Sequence, residues 1–231
     1  MLNEAAQDAI FLALSHAARR RILDLLKTMP GATINDVCKY FDVSRIMIMK
    51  HIGVLENADL KSAVFKVHIE APIERVWDAL TREGEKLPFF YNSVMHTPSL
   101  APGSALRMRS VDEKYTAVVG DILVVEKPHR FAHTMKFTQY EDPASKVTYE
   151  LTEQDGGTEL IMLLDEVPAG TKSEGYMMSG GLFITQTLKA LIEQGRPKFK
   201  QRLFLGMIGL FAFMTPKACL SVNWPFDRKI S

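Results

Sequence analysis

Cysteine is nearly absent from this chain of 231 residues: Cys38 and Cys219 are the only two, far apart in sequence. That scarcity excludes a disulfide-stapled scaffold and a clustered zinc site, and without a leader-like N-terminus it points to reduced thiols in a cytoplasmic protein. Net charge is also small, +1 overall, which argues against a chain that coats nucleic acid along its whole length. No apolar run reaches the roughly 20 residues that a membrane-spanning helix needs. A phosphate-binding glycine loop, a nucleophile elbow and a Cys-His-Asp order are missing too, so the residues point away from an enzyme and to no metal or cofactor. His129 and His133 tempt as a metal pair, but four residues along a strand separate them by about 13 Å.

What remains is the composition of an ordinary globular protein, 47% hydrophobic and 24% charged. The charge is uneven. Residues 1–61 hold eight basic and seven acidic side chains, residues 62–197 fourteen and nineteen, and residues 198–231 six and one. These differences suggest a head over 1–61, a central domain over 62–197 and a basic, apolar tail over 198–231.

In the head, Ile10, Leu14, Ile22, Leu25, Leu26 and Met29 keep a helical period that breaks at Ser15-His16, and Pro30-Gly31 ends it. Thr33 and Asp36 suggest the cap of a further helix, with Ile34, Val37 and Phe41 facing inward. After a turn at Asp42-Val43, Ser44 caps a helix whose Ile48, Ile52 and Leu55 make a core stripe. Helix, short turn and capped helix form a helix-turn-helix. Such a unit would present Ser44, Arg45, Met49, Lys50 and His51 to the major groove of double-stranded DNA, Ser44 at a phosphate and Arg45 at guanine.

"FLALSHAARRRILDLL" and "INDVCKYFDVSRIMIMKHIGVLENADL" together resemble the ArsR-type winged-helix repressors. The resemblance implies a DNA-binding regulator, working as a homodimer. Family members that sense metal use paired cysteines where this chain has Cys38 alone. The pattern also departs at its end, because no basic wing or dimerisation helix follows Leu60. The chain runs through Lys61 straight into "SAVFKVHIEAP".

That stretch opens the central domain, with Phe65, Val67 and Ile69 alternating against Val64, Lys66 and His68. Pro72 opens a helix over "PIERVWDALT". Strands are expected at "SALRMRSV", "YTAVVGDILVVE", "RFAHTMKF", "SKVTYELTEQ" and "TELIMLLDEV", the last two joined at Asp155-Gly156-Gly157. Ile184, Leu188, Leu191 and Ile192 share one face of a long helix that Gly195 and Pro197 stop. The predicted fold class is α+β: a small all-α helix-turn-helix head, then a helix-grip domain with a curved antiparallel sheet and a long C-terminal helix.

The segments "FKVHIEAPIERVWDALT", "KPHRFAHTMKF", "SKVTYELTEQDGGTEL" and "GGLFITQTLKALIEQG" resemble the START-like (SRPBCC) superfamily, in particular its heat-shock ATPase activator homologue branch. This implies a cavity between sheet and long helix for a small apolar ligand. Candidate lining residues are Trp77, Phe89, Phe90, Tyr91, Met108, Tyr115, Phe137, Tyr149, Met162, Met177 and Phe183, a Met-rich aromatic mixture that adapts to a planar guest. The same residues would equally fill an ordinary core.

The tail has an apolar run from Leu203 to Met214 behind Lys198, Lys200 and Arg202. A helix docked on the body is preferred over an interfacial membrane anchor through 198–214, and Trp224 is expected to anchor the irregular end. Three functions compete. One is a DNA-binding regulator sensing an apolar ligand. The second is a ligand- or lipid-binding module whose head only dimerises. The third is a chaperone co-factor.

Overall fold

The computed structural model describes residues 21–22, 24–25, 28–29, 34–41, 60–210, 214–228 and 230. The chain divides into two compact units, Met1–Lys61 and Ser62–Ser231. In the first, helix α1 (Ile34–Cys38) buries Val37 with Ile22, and Cys38 and Phe41 pack partly against them. The residues expected to read DNA lie outside the described residues.

Strand β1 (Leu60–Ile69) alternates as its sequence does: Val67 and Ile69 are buried while Val64 on the other face is 64% exposed. Helix α2 (Ile73–Leu80) follows, burying Ile73, Val76, Trp77 and Leu80 at the i, i+3, i+4, i+7 spacing of one helical face. Then come β2 (Lys86–Leu87), a 3-10 turn (Pro88–Phe90), β3 (Ser93–His96), β4 (Ala105–Arg109), β5 (Thr116–Glu126), β6 (Arg130–Phe137), β7 (Ser145–Gln154) and β8 (Gly157–Pro168). The strands β2 to β8 form a meander, and β1 returns to the free side of β8, giving the order β1-β8-β7-β6-β5-β4-β3-β2. Ser62 donates to Asp165 at 2.8 Å and Lys66 pairs with Glu159 at 2.6 Å, so β1 runs antiparallel to β8.

Local chemistry sets the turns. At the β7–β8 hairpin Asp155 and Gly156 both take positive φ, 50° and 75°, the twist that a two-residue hairpin loop requires. Register shifts in β4–β5 and β5–β6 bend the sheet into a curl around the long helix α3 (Lys172–Gln194). Thr171 caps α3 by accepting from the Glu174 amide at 3.2 Å, and Gly195 ends it at φ 69°. The far end of α3 is tied to β1, since Lys189 donates to the His68 carbonyl and Glu193 accepts from the Glu70 amide at 2.8 Å. This is the α+β helix-grip architecture.

Beside α3, helix α4 (Phe199–Leu210) touches the grip through Phe204, itself still 39% exposed, and buries Leu205. Docking on the body, the expectation for this tail, is met only on that one side. Phe199, Leu203, Met207 and Ile208 remain exposed. The last described segment crosses the outer face of the sheet. Trp224 is buried there and donates from Nε1 to the Ala218 carbonyl at 2.7 Å. Arg107 on β4, wholly buried, donates to the carbonyls of Trp224, Pro225 and Arg228 at 3.4, 3.0 and 3.1 Å.

Candidate functional site

The inner face of the grip carries the candidate site, and strand alternation builds it. On β6 the residues Phe131, His133, Met135 and Phe137 point inward, and on β7 Ser145, Val147, Tyr149 and Leu151 do. From the opposite side come Trp77 of α2, Phe89 and Phe90 of the 3-10 turn, and Met177, Ile184 and Leu188 of α3.

Aromatic rings form a connected set across this space. Trp77 meets Phe131 edge-on at 6.5 Å, Phe131 stacks on Tyr149 at 6.2 Å, and Phe90 meets Tyr149 edge-on at 6.4 Å. A second set closes the other side, with Tyr91 stacked on Phe183 at 4.6 Å and Phe204 of α4 edge-on to both. Two glycines allow α3 to come this close. A Cβ at Gly181 would lie 2.2 Å from the Phe65 ring, and one at Gly180 would lie 3.1 Å from the Tyr91 hydroxyl.

Polar groups sit inside this apolar face. The His133 ring lies 6.1 Å from Tyr149 and 5.4 Å from Phe131. Its Nδ1 lies 2.8 Å from the Thr134 carbonyl, which can only accept, so Nδ1 carries the proton and Nε2 is left as an acceptor. Burial pushes the His133 pKa down, against the opposing pull of that carbonyl, and the ring is neutral near pH 7. Burial also pushes the Tyr149 hydroxyl well up, so it keeps its proton. No hydrogen bond satisfies Tyr149 Oη among the described residues. Ser145 Oγ and Thr187 Oγ1, buried on β7 and α3, have no partner either.

Of the eleven residues expected to line a cavity, Trp77, Phe89, Met108, Tyr149, Met162 and Met177 are buried in one cluster. Phe90, Tyr91 and Phe137 pack against it, and Phe183 joins through Tyr91. Tyr115 is elsewhere: it bridges to Leu220 of the C-terminal segment, under Lys114. The polar residues of this face, His133, Ser145 and Thr187, were not among the sequence candidates. A period-2 reading of "RFAHTMKF" could have found His133, because it shares a face with Phe131, Met135 and Phe137. Two surface clefts lie apart from this face. One of about 230 Å³ lies beside Lys136, Tyr140, Trp224 and Arg228, and another sits at the β7–β8 hairpin by Ile73.

A family described as Activator of Hsp90 ATPase homolog 1-like protein matches residues 70–193. The transcriptional repressor SdpR of Bacillus subtilis is 38% identical over 53 residues, which is 23% of this chain and 58% of that protein. The chain thus spans less than two thirds of that repressor. Among solved structures, an Hsp90 activator from Plasmodium falciparum is 18% identical with a TM-score of 0.46, over 59% of this chain and 97% of the other. CalU16 from Micromonospora echinospora is 22% identical with a TM-score of 0.47, over 67% and 87%.

Proposed function

The chain belongs to the Activator of Hsp90 ATPase homolog 1-like family through residues 70–193, and from that footing we propose that it is a transcriptional regulator whose helix-grip domain binds a small, largely apolar ligand. The observation carrying the ligand half is a pair of buried hydroxyls without a hydrogen-bond partner, Ser145 Oγ and Thr187 Oγ1, on the strand and the helix that carry Tyr149 and Met177. Native cores satisfy nearly all their buried polar atoms, so hydroxyls left open amid aromatic rings are suited to the polar group of a guest. The guest that fits this chemistry is planar or aromatic with a hydroxyl or carbonyl. Tyr149 would bond that group, His133 Nε2 would accept from a hydroxyl, and Met135, Met162 and Met177 would adapt to the ring. No catalytic step is assigned to this face.

The DNA half rests on the helix-turn-helix pattern with Ser44, Arg45, Met49, Lys50 and His51, and on the similarity to a repressor. A second reading, in which the head only dimerises, draws support from β1, which starts at Leu60 and leaves no residues for a wing. Phosphate contacts supply most non-specific affinity, so losing a wing weakens binding and flattens its salt dependence.

Two measurements test the proposal. Trp77 reports on the inner face, so a titration of hydroxylated and carbonyl-bearing polycyclic aromatics, from 2-naphthol upward, should quench its emission in a Trp224→Phe background. Tyr149→Phe should weaken that binding about fivefold, the loss of one net hydrogen bond. If no compound of the series quenches Trp77, the ligand half fails. Anisotropy with labelled genomic duplexes at two salt concentrations tests the other half. Binding that is absent at low salt, or indifferent to Arg45→Ala and Lys50→Ala, leaves the second reading standing.

A further inference from the structure

Helix α4 is covered on one side only. Leu205 is buried, and Phe204 meets Phe183 and Tyr91, but Phe199, Leu203 and Met207 are 77%, 58% and 48% exposed. At four-residue intervals these three form one stripe along the helix, so its outer side is an apolar strip in water.

The charges around the strip point to its partner. Arg196, Lys198, Lys200 and Arg202 are all exposed and gather at the N-terminal end of α4. None forms an ion pair among the described residues. No acidic residue occurs between Gly195 and Phe226. A helix N-terminus is already the positive end of the helix dipole, and four cations there repel one another until an anion arrives. Lys200 and Arg202 flank the Phe199–Leu203 stripe on its two sides, a placement that lets their heads reach outward while their stems lie along apolar surface. A second copy packed strip to strip would offer these cations no carboxylate from its own 195–226 segment. A nucleic acid would use the cations and leave the apolar stripe wet.

We propose that α4 seats this protein on anionic lipid bilayers, with Phe199, Leu203 and Met207 entering the acyl boundary and Lys198, Lys200 and Arg202 at the headgroups. The helix lies in the interface, because no helix among the described residues is long and apolar enough to cross a membrane. Phe204 links α4 to Tyr91 and Phe183 at the side of the grip, so the bilayer would contact the domain beside its inner face. The proposal is independent of the ligand and DNA readings.

The test is flotation of the full chain with extruded vesicles, either pure phosphatidylcholine or phosphatidylcholine with about 30 mol% phosphatidylglycerol to supply anionic charge. The expected result is partition to the anionic vesicles, falling with salt and nearly absent for the neutral ones. Replacing Lys198, Lys200 and Arg202 by Gln should lower the partition about a hundredfold, at about fivefold per cation. Leu203→Glu should lower it as well while leaving the circular dichroism unchanged, since Leu203 is exposed. Absence of partition at low salt overturns the proposal, as does equal partition to both vesicle types. A dimer that Leu203→Glu dissociates also overturns it, assigning the strip to a second copy. Retention of duplex DNA that needs the cations but not Leu203 does the same, assigning the charges to nucleic acid.

Discussion

Replacing Arg107 by Met should unlatch the C-terminal segment from the sheet. The guanidinium is wholly buried on the outer face of β4 and donates to five backbone carbonyls, two in the sheet (Leu106 and Gly120) and three in the segment (Trp224, Pro225 and Arg228). Asp121 lends it charge from nearby, while burial acts first and lowers its pKa. Each hydrogen bond from a charged donor contributes about 1.5–3 kcal/mol. Of the three segment bonds, the 3.4 Å contact is too long to count fully, which leaves two good ones. Methionine fills similar volume and removes the cost of burying a cation, which offsets part of the loss. The net expectation is about 3 kcal/mol against the latched form, or about a hundredfold more opening. Hydrogen exchange reads this at the Ser221 amide, which bonds the Lys114 carbonyl at 3.0 Å across the junction. Arg107→Lys keeps the charge but not the planar fork, and should fall between the two. Unchanged exchange at Ser221 in Arg107→Met would refute the latch, and wild-type protection in Arg107→Lys would refute the role of the fork.

Three further outcomes follow from the inner face. Gly181→Ala should cost about 1–3 kcal/mol in urea denaturation, because its Cβ would fall on the Phe65 ring, and trimming Phe65 to Leu should restore part of it. Tyr149→Phe should leave the unliganded domain as stable or more stable by up to about 1 kcal/mol, since Oη has no partner to lose; a drop in urea midpoint would show a hidden bond. His133 should make stability fall as pH drops below its ordinary pKa of 6.5, because the unfolded ring takes up a proton that burial denies the folded one. His133→Phe should flatten that limb of the pH–stability curve, and an unaltered slope below pH 6.5 would contradict the assignment.

Periodicity made most of the elements legible. The expected strands "RFAHTMKF" and "SKVTYELTEQ" coincide with β6 and β7 to the residue, because alternation and the Asp155-Gly156 turn are local signals. The long helix was equally clear from its apolar face and its Gly195 stop, and it begins at Lys172. The short strands β2 and β3 were not legible, since two and four residues carry too little pattern to separate from loop.

By itself, then, the amino-acid order determined which residues turn inward together, because face and period are properties of neighbours along a chain. It could not determine what covers the outer face. An arginine opposite Leu106 and Met108 reads as solvent-exposed until a segment more than a hundred residues later lies across it. For the same reason Tyr115, grouped by residue type with the cavity aromatics, belongs with Leu220 instead. His133 looked like half of a failed metal pair and became a neutral acceptor beside Tyr149 only once β6 and β7 were paired. Burial, and the pKa shifts that come with it, depends on contacts between distant segments, and only the tertiary structure supplies those.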